Sequence, residues 1–290
     1  MKTIRTLLIT ALVLLTAGCG TTNTVPITGR KTHLLVSDAE ILSLSSQQYQ
    51  EYMKSSKVST NQTNTALVKR VGQRLATAVE TFLVNNGYAD EVQNLQWEFN
   101  LVADNQANAF CMPGGKIVVY EGMLPVTQDE PSLAIVLGHE IAHTVAKHSA
   151  EQLSKQMRQQ SAAQIGGSVL SQVAQAKGVS TTTASLIDLL AQTGFNFANL
   201  KYSRDNETEA DRLGLIFAAM AGYDPQAAIP FWQRMAALGG NTKSELLSDH
   251  PSDEKRIAEL QKRMPEALKY YTPATSTSAG DKNKTTKNKK

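Results

Sequence analysis

The stretch LGHEIAHTVAKH, residues 137–148, can do its chemistry in only one secondary structure. On an α-helix, His139 and His143 share a face one turn apart, so their ring nitrogens converge on a single point. In a strand the same spacing would set them about 13 Å apart. Glu140 borders that point. There a carboxylate can hold a polarised water, take its proton during attack on a peptide carbonyl and return it to the leaving amine. An H-E-x-x-H pattern on a helix is how zinc is held for peptide hydrolysis. The flanking residues predict that helix. Asp129 and Glu130 bring acid to its start, Pro131 suits a first turn, and Leu133, Val136, Leu137 and Ile141 recur at helical spacing. Gly138 costs about 1 kcal/mol against alanine inside a helix, so it marks close backbone packing beside the site.

Two histidines leave zinc one protein ligand short. The metzincin pattern would place Gly and His three and six residues past His143, where this chain has Ala146 and Ser149. On a continuous helix His148 lies half a turn from His139 and reads as a solvated residue near the helix end. The remaining option is a carboxylate from a second helix, and YSRDNETEADRLGLIFAAMAG offers a candidate, the plain alternative being an exposed acidic helix start. Ser203 suits its N-cap, Asp205 and Glu207 its positive end, and Gly222 its terminus. Glu207 and Asp211, four apart, share a face. Glu207 suits a metal ligand, and Asp211 a partner that hydrogen-bonds the far nitrogen of a ligating histidine. Glu209 points elsewhere, as a solvated or salt-bridged residue.

Upstream, Trp97, Phe99 and Leu101 alternate with polar or smaller residues, and KIVVY is a β-branched run after the turn-forming Met112-Pro113-Gly114-Gly115. The segment reads as paired strands beside the active-site helix. An edge strand there would add a substrate segment by main-chain hydrogen bonds; the plain alternative is a buried hairpin. The candidate substrate-binding residues are Asn108, Ala109, Phe110, Pro113, Gly114 and Gly115. Elsewhere helices dominate. Ser37 and Glu40 make a capping box before ILSLSSQQYQEYM, Thr65 to Phe82 is amphipathic, and Asp224-Pro225 opens a helix that Gly239-Gly240 closes.

GHEIAHTVAKH, SRDNETEADRLG and NAFCMPGGKIVVYEGML together resemble metallopeptidase family 48, the family of the CAAX prenyl proteases, and particularly its bacterial periplasmic lipoprotein branch. VPITGRKTHLLVS, VKRVGQRLA and WEFNLVADNQANAF extend the likeness from about Val25 to the Arg256 region. The resemblance implies a zincin-like domain, mainly α with a small β-sheet (α+β), built on an active-site helix, a second ligand helix and an edge-strand hairpin. It implies one Zn2+ per chain held by His139, His143 and Glu207, with Glu140 as catalytic base and Asp211 behind a ligating histidine. It includes a His-Pro followed by a basic residue where His250 and Pro251 stand. For His250 three roles stay open: a reversible fourth ligand that keeps the enzyme latent, a donor to the oxyanion, or a structural loop residue. His33 lacks any supporting constellation and reads as surface.

MKTIRTLLITALVLLTAGCG joins Lys2 and Arg5 to a short apolar stretch and Thr16-Ala17-Gly18 before Cys19, a secretion signal with a lipobox. Cys19 would be acylated, enough for stable anchoring, and by resemblance to Gram-negative lipoproteins Gly20 favours the periplasmic face of the outer membrane. Cys111 is then without an intramolecular partner, as a buried apolar residue or a free thiol. The 29 basic and 26 acidic residues fall to 27 against 26 once Lys2 and Arg5 leave with the signal, and DKNKTTKNKK concentrates positive charge in a low-complexity tail. Nothing interleaves aromatic and basic residues as nucleic-acid binding would require. The organisation expected is a signal peptide (1–18), a lipidated N-terminus and linker (19–32), a zinc metallopeptidase domain (33–264) and a disordered basic tail (265–290). Residues 151–200, polar at first and then small, apolar and glycine-broken, suit a lid over the cleft or ordinary helical packing.

The leading expectation is a lipid-anchored zinc endopeptidase acting on misfolded or stalled cell-envelope proteins, in contact with outer-membrane lipid and with the outer-membrane assembly machinery as a candidate partner. The alternative is a periplasmic chaperone or assembly factor that uses the same groove to bind peptide. A retired enzyme need not keep Glu140, which favours the first. A structural lipoprotein would leave the constellation unexplained.

Overall fold

The fold is known from a computed structural model, which describes residues 21–165, 194–238 and 254–273. The chain enters through an antiparallel hairpin, β1 (Thr21–Thr24) and β2 (Lys31–Leu34). Long helices α1 (Asp38–Ser55) and α2 (Gln62–Asn85) follow. A three-stranded sheet comes next, from β3 (Glu98–Val102), β4 (Ala109–Met112) and β5 (Lys116–Tyr120). Then come α3 (Glu130–Val145), α4 (His148–Ile165), α5 (Arg204–Met220), α6 (Ala228–Leu238) and α7 (Glu254–Ala267). The domain is mainly α with a small sheet, as expected.

Caps explain most helix starts. Ser37 and Glu40 form the reciprocal capping box of α1. Asp129 accepts from the Ser132 N–H at 2.7 Å at the start of α3, and Ser203 from the Asn206 N–H at 3.2 Å at the start of α5. Asn61 caps α2, so that helix begins before Thr65 and runs beyond Phe82. Asp224 caps a 3-10 turn, Pro225–Ala227, that leads into α6.

β5 is the middle strand, parallel to β3 and antiparallel to β4. Both faces are buried. Ile117 and Val119 join Phe99 and Leu101 in an apolar cluster with α2, α3, α5 and α6, while Val118 and Tyr120 join Phe110 and Met112 in a second cluster with α1. β4 is an edge strand packed against α3.

Two expected boundaries move. The segment read as a linker to Thr32 contains β1 and is part of the domain: Val25 is fully buried and its N–H donates to Arg30 O at 2.8 Å. Its polar threonines hide the strand, which is held by pairing and not by an apolar period. At the other end α7 continues past Met264 through Pro265 to Ala267, followed by a 3-10 turn at Leu268–Tyr270. Ala267 is buried and Glu266 makes a two-point ion pair with Arg212 at 2.9 and 2.7 Å. The predicted signal, Cys19, Gly239-Gly240, His250 and the lysine-rich end lie outside the described residues, as does most of the expected lid.

Candidate active site

Every residue of α3 from Ser132 to His143 is buried, so the H-E-x-x-H motif sits on a central helix within a solid frame. α5 crosses it at two glycines. A Cβ on Gly138 would meet Gly214 O at 2.8 Å, and one on Gly214 would meet His139 N at 2.8 Å. The small residues let the two backbones touch, as Gly138 suggested. This contact brings Glu207 over the histidines.

There His139 Nε2 and His143 Nε2 stand 3.1 Å apart, with the Glu207 carboxylate 3.4 Å from the first and 3.6 Å from the second. Ligands about 2.0–2.1 Å from one tetrahedral ion stand about 3.3 Å from each other. Two imidazoles and a carboxylate at that spacing, all buried, fit a zinc ion.

Behind the ligands lie two different supports. His139 Nδ1 is 3.0 Å from Asp211 Oδ1. The same oxygen accepts from Arg256 Nη2 at 2.6 Å, and the Arg256 guanidinium lies 3.6 Å above the Trp232 ring. Burial opposes charge on His139, but Asp211 and Glu207 outweigh it and raise its pKa to about 9. Burial would raise Asp211, yet Arg256 and His139 hold it below the ordinary carboxylate value.

His143 Nδ1 faces His148 Nδ1 at 2.9 Å, and His148 Nε2 lies 3.0 Å from Glu209 Oε2. This corrects the reading of His148 as solvated: it is fully buried. The helix on which that reading rested stops at Val145. Lys147, at φ +56°, reverses the chain and is pinned by Asp38 at 2.9 Å and Glu91 at 2.8 Å, so α4 starts by turning His148 back toward His143. Glu209 is salt-bridged and buried. Burial would raise its pKa, but His148, Thr28 and Arg30 hold it near 2. Burial lowers His148 in spite of Glu209.

Glu140 lines a narrow cavity of about 10 Å³ together with Asn108, Ala109, Phe110, Leu200 and Tyr202. Asn108, Ala109 and Phe110 thus reach the space beside Glu140. Pro113, Gly114 and Gly115 do not line it: they form the hairpin turn, where a Cβ on Gly114 would meet Leu42 at 3.0 Å and one on Gly115 would meet Trp97 at 2.5 Å. The end of the expected lid crosses here, with Phe197 and Ala198 buried in the same cavity wall. Cys111 is buried, Sγ 3.0 Å from Thr144 Oγ1, and burial pushes its thiol pKa up. His33 is exposed.

Three contributors escaped the sequence reading. Tyr202 stacks on His143 with ring centroids 3.9 Å apart, Arg256 braces Asp211, and Arg30 braces Glu209. Tyr202 carried a faint signal as the residue before the Ser203 cap; the two arginines lie within segments that carried the family resemblance, but no spacing along the chain pointed to their contacts, since each reaches the site from a remote helix or hairpin.

The model of peptidase family M48 matches residues 63–264, most of the chain and all of the ligand cluster. The chain belongs to peptidase family M48. Among its relatives is the mitochondrial metalloendopeptidase OMA1 of Schizosaccharomyces pombe, 38% identical over 185 residues, which are 61% of this chain and 49% of the relative. Human OMA1 is 31% identical over 248 residues, 84% of this chain and 46% of the relative. The beta-barrel assembly-enhancing protease of Yersinia pestis is 33% identical over 175 residues, 58% of this chain and 34% of the relative. The chain spans about half the length of the OMA1 proteins it matches and less of the other M48 protease.

Proposed function

We propose that this M48 member is a zinc-dependent endopeptidase anchored at the outer membrane, hydrolysing misfolded or stalled envelope proteins in the periplasm. The observation that carries the enzymatic part is the convergence of His139, His143 and Glu207 at tetrahedral ligand spacing beside Glu140. The names of its relatives, metalloendopeptidase and beta-barrel assembly-enhancing protease, agree with it.

His139, His143 and Glu207 would hold one zinc ion, and Asp211 would fix His139 with its proton on Nδ1 and its Nε2 lone pair toward the metal. Bound zinc supplies Lewis acidity that polarises water and the substrate carbonyl. Glu140 takes the proton of the attacking water and delivers it to the leaving amine. Ala109 and Phe110 on the edge strand β4, with Asn108 just before it, hold the substrate backbone in extended form beside Glu140. For His250, which lies outside the described residues, the candidate roles are a latent fourth ligand, a donor to the oxyanion and a structural loop residue, and the test below separates them.

Location rests on the first twenty residues, where a lipobox precedes Cys19. Among the described residues no helix is long and apolar enough to cross a membrane. Similarity to mitochondrial proteins speaks to the catalytic domain, while the leader sets the compartment. Substrates would be mobile chains that can lie extended along β4, with the outer-membrane assembly machinery as a source of stalled clients.

The test is metal content and casein cleavage by the wild type, Glu140→Gln and His250→Ala. One zinc per chain, with cleavage lost in the Glu140 variant, is the expected result, and a gain in the His250 variant would mark that residue as a brake. Zinc without cleavage in any form would favour peptide binding alone; absence of metal would overturn the assignment.

A further inference from the structure

The non-ligating nitrogen of His143 begins a chain of contacts that ends in the N-terminal hairpin. His143 turns Nε2 to the ligand cluster, and its Nδ1 lies 2.9 Å from His148 Nδ1. One proton must lie between those two nitrogens. With the Nε2 lone pair directed at a metal, the proton belongs to His143 Nδ1, and His148 Nδ1 accepts it. His148 then carries its own proton on Nε2, which donates to Glu209 Oε2 at 3.0 Å.

Glu209 is in turn held from the hairpin. Arg30 Nε donates to Oε2 at 2.7 Å and Thr28 Oγ1 to Oε1 at 2.5 Å. The remaining Arg30 nitrogens donate to both oxygens of Glu151 on α4, at 3.1 and 2.9 Å, and Asn206 Nδ2 donates to the same carboxylate at 3.2 Å. Every donor faces an acceptor in one consistent assignment, from Arg30 to the ligand.

We infer that His148, Glu209 and Arg30 form a positioning relay that fixes the tautomer and aim of His143, making the N-terminal hairpin a working part of the metal site. The relay rests on the zinc reading proposed above. His148 and Glu209 are positioning residues; neither belongs to the ligand cluster. Glu209 cannot serve His143 directly, because two helical residues separate its direction from that of Glu207 by about 200°. His148 bridges that gap, and the left-handed turn at Lys147 places it there.

Zinc affinity by competition with a chromogenic chelator, the visible spectrum of the cobalt-substituted protein and the melting temperature of the metal-free protein test this. The proteins compared are the wild type, Glu209→Gln, His148→Phe and Arg212→Gln, the last breaking an ion pair of α5 outside the relay. The relay predicts zinc weakened about 10- to 100-fold and an altered cobalt spectrum in the Glu209 and His148 variants, with neither change in Arg212→Gln. Glu209→Gln preserves shape and decides the matter if His148→Phe fails to fold. Wild-type affinity and spectrum in Glu209→Gln would overturn the relay and leave the zinc site standing. An equal loss in Arg212→Gln would reduce the effect to general loosening and overturn it as well. A wild type that binds no zinc would remove the metal reading itself.

Discussion

The two histidines of the site are supported by opposite ends of the chain. On the His139 side the support is direct: Asp211 lies against the ring, braced by Arg256 from α7, which itself rests on Trp232 of α6. On the His143 side the carboxylate stands one step removed, with His148 between, and its brace, Arg30, comes from the hairpin that opens the domain. One helix serves both sides. α5 carries Glu207, Glu209 and Asp211, and helical geometry turns Asp211 about 40° from Glu207 but Glu209 about 200° away. The difference teaches that an acid on the ligand's own face can act alone, whereas an acid on the opposite face needs an adaptor.

The largest expected effect belongs to neither side. Glu140→Gln should lower kcat on casein by about 10²–10⁴-fold with zinc content unchanged, measured by metal analysis beside the assay. Lost zinc would show that Glu140 helps hold the ion and that the two sides do not share the task alone. Next, Asp211→Asn should weaken zinc by about 10- to 100-fold, toward the upper part of that range and beyond Glu209→Gln, in chelator competition. The reverse order would break the contrast between a direct and a relayed support.

Gly138→Ala should cost about 1–3 kcal/mol of stability, read as a fall in denaturant midpoint, because a Cβ there would press on Gly214 O at 2.8 Å. The strain moves α3 against α5, so it should disturb both supports together. An unchanged midpoint would mean that the helices part without cost. The smallest effect is expected from Arg256→Lys, about 0.5–2 kcal/mol in binding or stability, from a weakened stack on Trp232. Zinc affinity should follow on the His139 side, while the spectrum of a nitrogen-15-labelled His148 ring should stay as in the wild type.

Local rules made much of the framework legible. The H-E-x-x-H spacing demanded a helix, the caps at Ser37, Asp129 and Ser203 are where their residue types placed them, and Gly138 marked a close crossing before its partner Gly214 was known. The same rules failed where a local pattern was cut or overruled. His148 was misjudged because its position was reckoned on a helix that ends at Val145. The hairpin was missed because threonines and an asparagine carry no apolar alternation, and the end of α7 lies past Met264, where the domain was expected to stop. Asn108 to Phe110 reached the cavity beside Glu140, but the adjoining turn at Pro113 to Gly115 packs against Leu42 and Trp97 instead.

The sequence by itself determined the residue types of the ligand cluster, the helix that carries two of its members and the helix that carries the third, because spacing along a helix sets which side chains share a face. The tertiary structure alone decided how far α5 stands from α3, and that Arg256, Tyr202, Arg30 and His148 meet at the site. Those contacts join residues from remote parts of the chain, or depend on a left-handed turn at Lys147 held by two distant acids, and no local pattern encodes where such groups come together.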